Sequence, residues 1–136
     1  ATANGLRDII SILTSDITET NITGDTPLHQ ACYNEQSEVV RELLKNENVP
    51  INSINDERNT PLVIACIRGN TLIANILLEA KADPNIALLN GNTALHFASI
   101  WNNKYIAENL LKYNANINAQ NEEGQTALII AAQKRL

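Results

Sequence analysis

Two histidines and two cysteines, His29, His96, Cys32 and Cys66, are the side chains best suited to metal or nucleophilic chemistry. His29 and Cys32 stand three residues apart, a spacing that puts both on one face of a helix and could serve a metal ion. A thiol, or the hydroxyl of Ser99, beside a histidine base is the material of nucleophilic catalysis. The carboxylate pairs Asp56-Glu57 and Glu122-Glu123 could in turn supply an acid and a base.

Position argues against each of these readings. Both histidines fill one slot of a recurring phrase, and the other copies put Val63 and Ile129 there. A ring in that slot is expected to bond its own threonine or the backbone of a neighbouring turn. Cys32, Cys66, Ser99 and Ala132 share a second slot, where the common property is small size. The carboxylate pairs fall in polar turn segments, whereas acid–base work needs a shielded setting that separates two pKa values. The five glycines are scattered, so no glycine-rich phosphate loop exists. Neither catalysis, a metal nor a cofactor is expected.

The elements that carry these residues follow from the phrase itself. It reads Thr26-Pro27-Leu28-His29-Gln30-Ala31-Cys32 and recurs at Thr60, Thr93 and Thr126, at intervals of 34, 33 and 33 residues. A fixed period of this size marks stacked supersecondary units, each burying the apolar face of the next. Threonine suits the N-cap, and Pro27 and Pro61 suit the first helical position. The helix is expected to end at Gly69 or Asn102, with the first unit's turn shifted from Glu35 to Asn34. A second, amphipathic helix follows in Val39–Leu44, Ile73–Leu78 and Tyr105–Leu111. Each unit closes on an asparagine, Asn52, Asn85 or Asn118, eight residues before the next threonine. The intervening segments, with Asn90-Gly91 as the strongest turn signal, predict β-hairpin fingers.

Period, phrase and closing asparagine resemble the ankyrin repeat over about residues 6–136. The resemblance implies one all-α ankyrin-repeat solenoid, with helix–turn–helix pairs linked by β-hairpin fingers. Within a single domain 1–136, residues 24–57, 58–90 and 91–123 are full units; 1–23 and 124–136 are partial ones. Arg58, Lys81 and Asn114 stand where the family has glycine, which puts local turn geometry in question. The family mostly binds other proteins through its fingers and the inner face of its first helices. A protein-interaction module within a longer scaffold, regulator or effector is therefore expected; a structural spacer that positions other domains is the alternative.

Side chains not needed for stacking locate the expected surface. Seven and eight residues after each threonine lie Tyr33-Asn34, Ile67-Arg68, Ile100-Trp101 and Gln133-Lys134, directed toward the concave side. Trp, Tyr and Arg commonly anchor interfaces. The competing role for Trp101 is to close the core against the adjoining unit. Asp25, Asp56, Glu57, Leu89, Glu122 and Glu123 are expected at the finger tips, with one of Leu88 and Leu89 packed beneath the turn. Tyr105 and Tyr113 are expected to pack. One glycosylation sequon, Asn21-Ile22-Thr23, is a weak signal.

Composition sets the outer bounds. The chain of 136 residues carries a formal net charge of −5. Acidity disfavours nucleic acid and anionic membrane as partners and favours a basic protein. No apolar run is long enough to span a bilayer. Two buried, reduced thiols suit an intracellular, cytoplasmic setting. A monomer is expected. The apolar Leu128-Ile129-Ile130 close to the end suggests a stack that continues or has been trimmed.

Overall fold

The computed structural model of the chain describes residues 19–134. Seven α-helices lie among them: α1 Pro27–Tyr33, α2 Ser37–Leu44, α3 Pro61–Arg68, α4 Thr71–Glu79, α5 Ala94–Ile100, α6 Lys104–Lys112 and α7 Ala127–Gln133. The first helices pack in one row, α1 on α3, α3 on α5 and α5 on α7. The second helices form a parallel row, α2 on α4 and α4 on α6. Two layers of helices stacked along one direction make an all-α repeat solenoid. The helix expected over Leu6–Leu13 falls outside the described residues.

The core runs between the two rows. Leu28, Leu62 and Leu95, the leucines of the phrase, are all buried, and Ile73, Leu77, Ile106 and Leu110 meet them from the second helices. Burying one such side chain contributes roughly 1.5–3 kcal/mol. Leu128 sits in the same slot yet is 74% exposed; among the described helices α7 packs chiefly on α5. Alanines and cysteines let the first helices approach one another: Ala31, Ala65, Ala98, Cys32 and Cys66 are buried.

Helix ends follow the capping logic. The hydroxyls of Thr26, Thr60 and Thr126 accept the amides of His29, Val63 and Ile129. Asn70 and Asn103 cap α4 and α6 in the same way. Gly69 and Asn102 adopt positive φ after α3 and α5, as expected. The first unit does not shift its turn. Glu35 itself takes φ 55°, while Asn34 stays at −88°. The chain path is thus common to all units, and Glu35 bears the left-handed strain.

The fingers are tighter than hairpins, and no strand is present among the described residues. Each closes on one backbone bond four residues apart: Asn21 to Asp25, Asn55 to Asn59, Leu88 to Asn92 and Asn121 to Gln125. In three of them an asparagine builds the turn from within. The Oδ1 of Asn21 accepts the amides of Thr23 and Asp25, Asn55 those of Glu57 and Asn59, and Asn121 those of Glu123 and Gln125. The sequon asparagine is therefore engaged in this turn. The third finger has Leu88 in that slot. Leu88 is buried, and the turn is completed as a single 3₁₀ turn, Leu89–Gly91.

Candidate partner-binding surface

Stacking fixes the chemistry-bearing residues first. The amide of Thr26 donates to His29 Nδ1 at 3.0 Å, which leaves the ring proton on Nε2, and Nε2–H donates to the Asn59 carbonyl at 3.0 Å. His96 repeats this with Thr93 and the Gln125 carbonyl, at 3.0 and 2.8 Å. Each histidine thus ties its own cap to the next finger. Burial lowers the His29 pKa from 6.5, with the Asn59 and Ser53 backbone bonds and the charge of Asp25 opposing the shift. Cys32 and Cys66 are free, and burial pushes both thiols up to about 12. A thiol so held is protonated near neutral pH, the opposite of what a nucleophile needs. Among the described residues no group of three His, Cys, Asp or Glu side chains could hold a metal ion.

Asparagine side chains tie the units together further. Asn55 Nδ2 donates to Asp25 Oδ1 at 2.7 Å, and Asn121 Nδ2 to Asn92 Oδ1 at 2.9 Å, each across adjacent fingers. On the far side, Asn52 accepts the Asp83 amide and Asn85 the Asn116 amide, at 2.9 and 2.7 Å. Asp25 is thereby removed from the expected surface. It is buried, and its carboxylate accepts from Asn55 and from the Thr23 hydroxyl. Sequence position beside a turn suggested a tip; only the asparagine of the next unit reveals the inward role.

The remaining residues form one surface with two edges. Along the C-terminal ends of the first helices, Trp101 is 57% exposed and Asn34 and Arg68 are exposed. Tyr33, Ile67 and Ile100 are half-buried, the first two against the core. Trp101 therefore does not seal the core. Along the finger edge, Asp56, Glu57, Glu122, Glu123 and Leu89 are exposed, and Leu88 lies beneath. The edges meet where the Tyr33 hydroxyl donates to Glu57 Oε2 at 3.3 Å. Burial, with the Glu57 charge adding to it, raises the Tyr33 phenol above 10.0. Arg68 and Glu35 pair across units at 3.5 Å, an exposed contact worth at most about 1 kcal/mol. Tyr105, expected to pack, is 68% exposed on the other face, while Tyr113 packs on the core.

Charge is unevenly shared between the faces. In the described fingers and first helices, with the turns that end them, seven carboxylates face three cations, a balance of −4. The second helices and their following loops hold six against five, a balance of −1. The net charge of the described residues is thus concentrated in the layer of fingers and first helices that carries Trp101, with Asp25 its one buried carboxylate.

Relatives fit this architecture. A family model described as ankyrin repeats (3 copies) matches residues 1–88 and 81–136. SMC5-SMC6 complex localization factor protein 1 of Homo sapiens is 39% identical over 61 residues, which cover 45% of this chain and 6% of that protein. Its Bos taurus counterpart is 38% identical over the same extent. The match spans a small fraction of those relatives' length. No described helix is long and apolar enough to cross a membrane. With the family model matching nearly end to end over a two-row stack of helix pairs, the chain belongs to the ankyrin repeat family.

Proposed function

We propose that this chain is a non-catalytic protein-interaction module that holds a basic partner protein along the first-helix ends and the fingers. The observation that carries the reading is a row of exposed or half-exposed side chains, Tyr33, Ile67, Arg68, Ile100 and Trp101, that runs in register along the ends of the first helices, with Tyr33 and Ile67 resting partly on the core. A large aromatic more than half open to solvent, rimmed by carboxylates, is costly to leave bare and is a typical interface anchor. The −4 balance of this face speeds encounter with a cationic partner and orients it. A localization factor among the relatives is in keeping with a role in bringing proteins together.

Trp101 is the sole tryptophan and reports on its own burial. Titrating the chain with a captured and purified partner is expected to shift its emission to the blue and to protect it from acrylamide. Unchanged emission in a saturated complex places the partner elsewhere.

A further inference from the structure

The finger edge is interrupted once, between the second and third fingers. The Asp56 amide donates to the Thr23 carbonyl at 3.0 Å, joining fingers one and two, and the Glu122 amide to the Asn90 carbonyl at 2.9 Å, joining three and four. The corresponding donor and acceptor at the middle junction are the Leu89 amide and the Glu57 carbonyl, and neither is bonded among the described residues. The cause lies in one slot. A Cβ on Gly24 would meet Asp56 Oδ1 at 2.6 Å, and one on Gly91 the Glu122 amide at 2.9 Å. Glycine is what lets the next finger in, and Arg58 fills that slot in the second finger. The histidine and asparagine ties are missing at the same junction, since Val63 replaces the histidine and Leu88 the asparagine, while the bond of the Asp83 amide to Asn52 holds on the far side.

The tips alternate in character along the row: Ile22, Asp56-Glu57, Leu89, Glu122-Glu123. Ile22 is 99% and Leu89 50% exposed. Packed helices place successive units about 8–10 Å apart. A polyproline II segment rises about 3.1 Å per residue with three residues per turn, so every third side chain points one way at intervals of about 9 Å. That spacing matches one unit.

Resting on the protein-binding reading above, we infer that the finger edge takes an extended polyproline II segment of the partner. Apolar and cationic side chains alternate at every third residue of that segment. Its apolar groups cover Ile22 and Leu89, and its cations pair with Asp56-Glu57 and Glu122-Glu123. At the centre its main chain donates to the Glu57 carbonyl and accepts from the Leu89 amide. Arg58, exposed beside this junction, is the one opposing charge of the edge and favours main-chain pairing over a cation at that point.

The test is calorimetric, with a synthetic decapeptide that has leucine at its first and seventh positions, lysine at its fourth and tenth, and proline and alanine between. The chain is expected to bind it, and to bind a version with glutamate for lysine at least tenfold more weakly. Asp56→Lys with Glu57→Lys should cost tenfold or more and flatten the salt dependence. Arg58→Gly, Val63→His and Leu88→Asn together restore the finger contacts and occupy the free amide and carbonyl. That variant should bind at least tenfold more weakly although it has lost a cation. Circular dichroism checks its fold; if it fails to fold, the charge-reversal pair decides. No binding at millimolar peptide, equal affinity for the glutamate peptide, or full affinity in the folded triple variant each overturns the inference. A partner protein that ignores Asp56 and Glu57 but loses affinity when Tyr33 and Trp101 are truncated overturns it too, and leaves the broader reading standing.

Discussion

His29 shows how much one buried side chain does here. It accepts its own cap amide and donates to the next unit, so only the neutral ring fits. Its folded pKa lies below the 6.5 of an unfolded chain. The unfolded state therefore takes up the proton first as pH falls. The stability His29 supplies is complete above about pH 6.5 and is lost as pH drops from there through the lowered folded value. Urea unfolding at stepped pH should show a midpoint that falls below pH 6.5, with a slope of up to about 1.4 kcal/mol per pH unit from this group. A Val63-like His29→Val variant should be less stable at pH 7.5 and should lose that part of the slope. The bonding of this slot to its threonine and the next turn is legible in the sequence, because the phrase repeats and tolerates Val63. The inward role of Asp25 is not, since it depends on Asn55, thirty residues away.

At the scale of the element, the strained turns explain why departures from glycine leave the fold intact. Arg58, Lys81 and Asn114 adopt φ of 66°, 72° and 70°, so the backbone keeps the path and the side chain bears the cost. Left-handed geometry costs a residue with a Cβ roughly 1–2 kcal/mol. Arg58→Gly should raise the unfolding free energy by about 1 kcal/mol, discounted for the greater freedom glycine gives the unfolded chain. Gly24→Ala should lower it by more than 1 kcal/mol, through the same strain plus the contact with Asp56. Chemical denaturation of the two variants against the native chain measures both; a stabilising Gly24→Ala contradicts the finger geometry. Periodicity makes the helix pairs legible, and threonine and proline chemistry the start of each first helix; the Asn70 and Asn103 caps of the second helices are not evident from the phrase. Asn90-Gly91 signals a tight turn and so predicts a hairpin; in that finger a 3₁₀ turn, and in the other three an asparagine side chain, closes the turn without a strand ladder. In the first unit local propensity favours Asn34 for the left-handed position, and the stacking path assigns it to Glu35.

For the whole molecule, the two helical rows divide the labour. The second helices are nearly balanced in charge and supply about a third of the buried core residues. The first helices and fingers hold nearly all of the net charge and the exposed tryptophan. Repetition makes the architecture visible, since each slot of the phrase is seen four times and a residue dispensable for stacking stands out by its variation. Exposure did not follow from repetition: Tyr105 lies on an amphipathic helix and still faces solvent, because the position between the packing residues Ile106 and Ala107 and the helix start has no neighbour to cover it.

The account rests on the exposed Trp101 and the half-buried Tyr33 being necessary to the partner while the helices stand without them. Titration of a captured, purified partner against the native chain and against the Tyr33→Ala, Trp101→Ala double variant tests this most directly, with circular dichroism in parallel. The expected result is a loss of several kcal/mol of binding free energy with the helical spectrum unchanged. Equal affinity in a variant that keeps its helices contradicts the account.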